Sequence, residues 1–323
     1  MNPPIVKAMS DITVRLTVSP APHWRSRRTV LKMMQAHLLA LAPAAVMAVG
    51  MYGPQALAVI GLSGSVAVMT EAVCLRLQGR PVTVDNFTAL YDGILFAFLL
   101  PATAPWWLVT IGAMLTIALG RTVFGGYGTN PVCAPLVAWA FCRLSWPQAM
   151  DIDLNLAHFL SNAPLDQLKH FGVASLSQFH YMDLFIGKQL GGLGASQVAA
   201  LLAGGLCLIG AGWVRAFIPT AFLAGVVATS GLFWLIDPTL YADPMFHLLA
   251  GSTIFGAFFL APDVASSPVG MLPQILFGLI AGTLVVIIRV YGVYPDGAPF
   301  AIMLANLLTP LLDHVHPKPF GAK

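Results

Sequence analysis

Four carboxylates, Glu71, Asp92, Asp263 and Asp313, stand in or at the ends of long apolar runs. A carboxylate at membrane depth costs about 2.5–3.5 kcal/mol on insertion scales unless water or a cation meets it. Such residues are therefore suited to a cation or proton path. Asp313, at the end of the last run, reads as a wetted cap, and Glu71 and Asp263 are the two assigned to an ion path. A second kind of chemistry lies in glycine-rich turns. Phe124-Gly125-Gly126-Tyr127-Gly128-Thr129-Asn130-Pro131 and Gly191-Gly192-Leu193-Gly194-Ala195-Ser196 let backbone N–H and C=O groups approach a ligand closely. The helix starts that follow favour anionic or electron-rich groups. Neither turn matches a Walker A or dinucleotide fingerprint, and each also has the composition of a plain tight turn. His158, His170 and His180 are spaced by 12 and 10, which fits no common zinc pair. Cys74, Cys133, Cys142 and Cys207 show no C-x-x-C spacing, so no metal site, iron–sulfur site or disulfide is expected.

The elements that position these groups follow from hydropathy. Charged residues are 9% of the chain, against about 25% in a soluble domain, and hydrophobic residues reach 58%. With a mean hydropathy of +0.80, the solvent for most of this surface is lipid. The apolar stretches predict an all-α integral membrane protein of about ten transmembrane helices: 31–51, 55–75, 89–104, 106–124, 131–146, 196–213, 216–236, 244–261, 272–290 and 298–312. The third, fifth and tenth are short for a full crossing, and short spans rich in Gly and Pro suit half-helices packed inside a bundle.

Lys and Arg set the orientation. With the N-terminus in the cytoplasm, the inner side collects Lys7, Arg15, Arg25, Arg27, Arg28, Lys32, Arg76, Arg80, Arg121, Arg215, Lys318 and Lys323. Only Arg143, Lys169, Lys188 and Arg289 fall outside. That asymmetry predicts cytoplasmic termini. The first thirty residues lack the apolar core of a cleavable signal, so the first span is expected to direct insertion. A net charge of +3 is an orientation signal and gives no support to nucleic-acid binding.

The expected organisation is a basic cytoplasmic segment (1–30), five spans (31–146), a long outer segment (147–195), five more spans (196–312) and a cytoplasmic tail (313–323). Five crossings per half require that related halves be inverted. Phe96-Ala97-Phe98-Leu99-Leu100-Pro101 resembles Gly256-Ala257-Phe258-Phe259-Leu260-Ala261-Pro262, and Arg121 and Arg289 end matching spans.

Several motifs resemble one family across nearly the whole chain. They are Ser19-Pro20-Ala21-Pro22-His23-Trp24-Arg25-Ser26, Glu71-Ala72 with Arg80-Pro81, and Leu100-Pro101 with Pro105-Trp106-Trp107. The turn at 124–130 and the closing Tyr294-Pro295-Asp296-Gly297, Ala301 to Leu307 and Leu312-Asp313-His314 complete the set. Together they resemble the family joining the RnfD protein of the Rnf complex and the NqrB protein of the sodium-pumping NADH:quinone reductase. The short chain, without a long N-terminal extension, is nearer the RnfD side of that family. The resemblance implies an inner-membrane complex passing electrons between ferredoxin and NAD, coupled to sodium or proton movement, with the other Rnf proteins as partners. It also implies a urea-transporter-like fold of two inverted five-helix repeats, an FMN held through phosphate to a threonine of the outer loop, and a riboflavin nearer the cytoplasm.

The chain departs from that pattern where the FMN should attach. Ser161-Asn162-Ala163-Pro164-Leu165 has no threonine between Ala163 and Pro164, and a phosphoester needs that hydroxyl. Cys133 replaces the second asparagine after the inner glycine turn, leaving Asn130 for a flavin ring edge. The expected cofactor is therefore non-covalent FMN, riboflavin or both. The residues implied around flavin are Gly125, Gly126, Thr129, Asn130, Cys133, Ser161, Asn162 and Ala163. The alternative is a urea-transporter-fold channel, or a scaffold protein of the complex, without its own flavin.

Overall fold

A computed structural model of the chain describes residues 28–151 and 163–315. Every regular element among the described residues is helical. The first half holds α1 (Val30–Tyr52), α2 (Pro54–Leu77), α3 (Thr88–Leu99), α4 (Trp106–Ala118) and α5 (Ala134–Ser145). The long middle segment contributes α6 (Pro164–Phe171) and α7 (Tyr181–Ile186). The second half holds α8 (Val198–Gly210), α9 (Phe217–Ile236), α10 (Pro244–Leu249), α11 (Thr253–Phe255), α12 (Met271–Tyr291) and α13 (Ala298–Leu312). A π-helical turn, Gly256–Leu260, continues α11.

Local chemistry sets these boundaries. Thr29 caps α1 by accepting from the Lys32 N–H at 3.3 Å. Gly53, at φ +72°, closes α1 and hands the chain to Pro54 at the first turn of α2. Five helical stretches are long and apolar enough to cross a membrane: Val30–Tyr52, Pro54–Leu77, Trp106–Phe124, Phe217–Ile236 and Met271–Tyr291. Four shorter apolar helices, α3, α5, α8 and α13, stand among them. α1 buries Met34, Leu41, Ala44 and Ala48 while exposing Leu39 and Val46, so it is apolar all round. That pattern fits a helix between protein and lipid. The chain is a multi-pass integral membrane protein.

Each predicted stretch contains a helix, with two differences that matter for the site. The third ends at Leu99 instead of 104, because Pro101 pushes Leu100 into extended backbone at ψ 154°. The eighth is broken, with Gly251 at φ +67° between α10 and α11. The cause is the Arg289 guanidinium, which takes the carbonyls of His247 (2.8 Å) and Ala250 (3.0 Å) that a continuous helix would have used.

Glycines set the closest helix pair. A Cβ on Gly282 of α12 would lie 2.1 Å from the Phe222 carbonyl oxygen of α9, and one on Gly225 would lie 2.6 Å from the Leu279 carbonyl oxygen. Backbone cannot yield as a side chain can, so Gly282→Leu should separate the two helices at a cost above the usual ~1–3 kcal/mol of overpacking. The expected result is loss of the chain from membranes, read by immunoblot and fluorescence-detected gel filtration. Gly61→Leu, whose Cβ meets nothing within 4 Å, should accumulate normally.

Candidate functional site

Arg121 follows α4 and is 2% exposed. Its Nη1 donates to Asp92 Oδ2 of α3 at 2.9 Å, and its Nη2 donates to Glu71 Oε1 of α2 at 3.1 Å and to Thr88 Oγ1 at 3.0 Å. The guanidinium lies 5.0 Å from the Tyr127 ring centroid. Thr88 opens α3, and the Asn86 carboxamide oxygen accepts from its N–H at 3.1 Å and its hydroxyl at 2.9 Å. One cation thus ties the exits of α2 and α4 to the start of α3.

A third carboxylate belongs to the same group. Asp263, just beyond the π turn, accepts from Ser266 Oγ at 2.9 Å and from Asn130 Nδ2 at 3.5 Å. It lies within electrostatic reach of Arg121, Asp92, Tyr91 and His37. His37 of α1 packs edge-on against Tyr91 with ring centroids 5.4 Å apart, and its Nδ1 bonds to the Met33 carbonyl at 2.8 Å. Glu71 and Asp92 therefore pair directly with one buried guanidinium, and Asp263 lies within its electrostatic reach without touching it. Glu71 Oε2 is buried and finds no hydrogen-bond partner among the described residues. Two carboxylates on one arginine with a third nearby leave capacity for added positive charge, as a bound cation or as protons.

The inner glycine turn borders this group. Gly125, Gly126 and Gly128 adopt φ of +111°, +118° and +93°. Arg80 Nη1 donates to the Gly125 carbonyl at 3.1 Å, and the exposed Thr129 hydroxyl donates to the Gly126 carbonyl at 2.9 Å. Asn130 is 5% exposed, and its amide nitrogen also donates to the Val132 carbonyl at 3.0 Å, so it braces the turn against Asp263. Cys133 is buried at the start of α5, within electrostatic reach of Asp263 and Asp92.

Arg289 makes a matching group in the second half. It donates through Nη2 to Thr253 Oγ1 at 2.8 Å and to Asp296 Oδ1 at 3.1 Å. Each arginine ends a long helix and holds a threonine that opens a broken or short one. Beyond Arg289, Ala163, Arg143, Trp139, Gly192 and Asp296 line a cavity of about 80 Å³. Small-molecule pockets usually start near 300 Å³. With no hydroxyl between Ala163 and Pro164, the residues here do not fit a phosphoester-linked FMN.

The structure brings Glu71, Asp263, Asn130 and Cys133 to one group, with Gly125, Gly126 and Thr129 in the turn at its edge. Ala163 lines the small cavity beside Asp296 instead, and Ser161 and Asn162 fall outside the described residues, as does the 19–26 motif. Sequence reading missed Arg121, Thr88 and Tyr127 as parts of the site. It assigned Arg121 and Arg289 to loops as topology markers, whereas both are buried, at 2% and 6% exposure. Their places at the ends of apolar runs that face an aspartate, Asp92 and Asp296, were the available signal.

The model of the family described as NQR2, RnfD, RnfE matches residues 17–321. The D component of the Na(+)-translocating ferredoxin:NAD(+) oxidoreductase complex of Acetobacterium woodii is 38% identical over 305 residues, covering 93% of this chain and 93% of that protein. The D component of the proton-translocating ferredoxin:NAD(+) oxidoreductase complex of Clostridium ljungdahlii is 34% identical over 319 residues, covering 95% and 96%. The D component of the ion-translocating oxidoreductase complex of Shigella boydii is 30% identical over 345 residues, covering 94% and 98%. The chain belongs to the NQR2, RnfD and RnfE family.

Proposed function

We propose that this chain is the D component of an Rnf-type complex in a bacterial inner membrane, where it lines part of the ion route coupled to electron transfer between ferredoxin and NAD. The observation that carries this reading is the pairing of Glu71 and Asp92 with Arg121, with Asp263 of the other half held nearby through Asn130. Relatives of similar identity are named for sodium and for protons, so family membership leaves the ion open.

The ten apolar stretches form two inverted five-helix repeats of the urea-transporter kind in this reading. The Arg121–Thr88 and Arg289–Thr253 pairs, 33 and 36 residues apart in sequence, support it, because an inverted pair puts equivalent groups at opposite membrane faces. Both termini are then cytoplasmic. Removing the two buried arginines from the charge count leaves the bias toward the inner side intact. A maleimide applied from the periplasm should label Asp166→Cys and not Arg80→Cys; the opposite pattern would reverse the orientation.

Flavin, FMN or riboflavin, is held without a covalent bond at the inner glycine turn. When bound, it supplies the redox chemistry, and the protein supplies position and electrostatics. The turn is open on its ligand side: a Cβ at Gly128 meets nothing within 4 Å, and one at Gly126 meets only Arg80 Nη1 at 4.0 Å. With its amide nitrogen engaged, Asn130 has its carbonyl oxygen for a ring edge. Flavin fluorescence should therefore leave this chain on a denaturing gel and appear in the released fraction. A fluorescent band at the chain's mass, mapped to a peptide containing Ser161 or Thr129, would overturn non-covalent binding.

The second reading, a channel or scaffold protein without flavin, is favoured by the small outer cavity and the absent hydroxyl. The visible spectrum of the purified complex separates the two. Yellow colour released by denaturation, and reduced when Gly126 is replaced by valine, supports flavin. A colourless chain supports the scaffold.

A further inference from the structure

A second cavity, of about 270 Å³, lies on the Arg289 side of the bundle between α6, the turn before α10, and the end of α12. Its polar walls are Lys169, Tyr241, His247 and Arg289, with Leu240 and Val290 among the apolar ones, and no carboxylate lines it among the described residues. His247 is 2% exposed and its Nδ1 has no hydrogen-bond partner among the described residues. Arg289 is 6% exposed and its Nε is likewise without a partner. The Asp296 carboxylate does not supply the missing acceptor: it is taken by Arg289 Nη2, Ser252 and the Ala298 N–H. Lys169 donates to the carbonyls of Gly292 and Tyr294, and its ammonium carries a third hydrogen.

Two cations and a phenol line the cavity with no carboxylate among them, and behind this wall lie the partnerless Arg289 Nε–H and His247 Nδ1, an arrangement that calls for an electron-rich ligand with several acceptor oxygens. Leu240 in the apolar lining is exposed, at 61%. A headgroup in the cavity would leave its acyl chains along that surface. A cationic pocket without a carboxylate suits a phosphate through charge-assisted hydrogen bonds, here on the outer side of the membrane. We infer that this cavity is a phosphate-binding site, taking the phosphate of an anionic phospholipid or a free phosphate ion. The inference is independent of the ion-route and flavin readings, because it uses none of the residues around Arg121.

The test uses the whole purified complex, delipidated in detergent. Native mass spectrometry and thermal unfolding are followed with dioleoylphosphatidylglycerol, with dioleoylglycerol, which has the same chains without phosphate, and with inorganic phosphate. The expected result is a phosphatidylglycerol adduct on this chain and a raised unfolding temperature, with no effect of dioleoylglycerol. Lys169→Gln and His247→Asn should each weaken the adduct by about tenfold, equivalent to ~1.4 kcal/mol. Stabilisation by inorganic phosphate alone, lost in the same variants, assigns the site to the free ion; stabilisation only by the lipid assigns it to the headgroup. Wild-type complex that responds equally to phosphatidylglycerol and dioleoylglycerol, and not to phosphate, overturns the site whatever the variants do. So does phosphate or lipid binding that both variants leave unchanged. If Lys169→Gln fails to assemble through loss of its bonds to Gly292 and Tyr294, His247→Asn and the wild-type comparison still decide.

Discussion

Arg121→Leu is expected to remove the chain from the membrane. Among the described residues the guanidinium is the sole cation bonded to both Asp92 and Glu71, whose side chains are only 8% and 12% exposed. Deleting one partner of a buried pair strands its counter-charge and typically costs about 3–5 kcal/mol. Here two carboxylates are stranded, and the Thr88 contact that anchors the start of α3 is lost with them. A loss of that size consumes much of a net stability of about 5–15 kcal/mol. Chain abundance in membranes, followed by gel filtration of the solubilised complex, reads the effect. Combining Arg121→Leu with Asp92→Leu and Glu71→Gln should recover assembly, since the stranded charges go too, while leaving ion coupling lost. Wild-type abundance of the single Arg121→Leu variant would show that the cluster does not hold these helices together.

Asp263→Asn should have the largest effect on coupling with the least on folding. The carboxamide keeps the shape of Asp263 and an oxygen for the Ser266 hydroxyl, removes the charge and puts an NH2 donor in place of the second oxygen. Glu71→Gln does the same at an oxygen that has no partner among the described residues, Oε2, while its other oxygen faces Arg121. If the three carboxylates provide the capacity for a transported positive charge, each neutral variant should lower ion-dependent turnover by about tenfold, or ~1.4 kcal/mol. Electron transfer in uncoupled membranes should stay within about twofold of wild type, well under that ~1.4 kcal/mol. Equal loss of both activities would mean misfolding. Ion dependence unaltered in both variants would take these residues off the route.

The helices were legible because lipid imposes its own length and composition on a span: α1, α2, α9, α12 and α13 lie within two residues of their predicted ends. The break between α10 and α11 was not legible, because its cause, Arg289, lies 42 residues beyond His247. The carboxylates Glu71 and Asp263 stood out in sequence as charges inside apolar runs. The pairing of Glu71 with Arg121 did not, since 50 residues separate them and hydropathy carries no record of which helix packs on which. The glycines of the inner turn were visible as a string. Their left-handed backbone and the Asn130 bond to Asp263 are properties of the folded pair of halves.

The most direct test of the proposed role is simultaneous measurement of NADH formation and ion uptake in proteoliposomes containing the complete complex, driven by reduced ferredoxin. Sodium uptake and internal acidification are each recorded in the same preparation, for wild type and for Asp263→Asn. The expected result is uptake of one of the two ions by wild type; in Asp263→Asn that uptake is largely lost, while NADH formation measured with an ionophore present stays near wild type. Ion uptake per NADH equal to wild type in Asp263→Asn would contradict an ion route through this chain's carboxylate cluster.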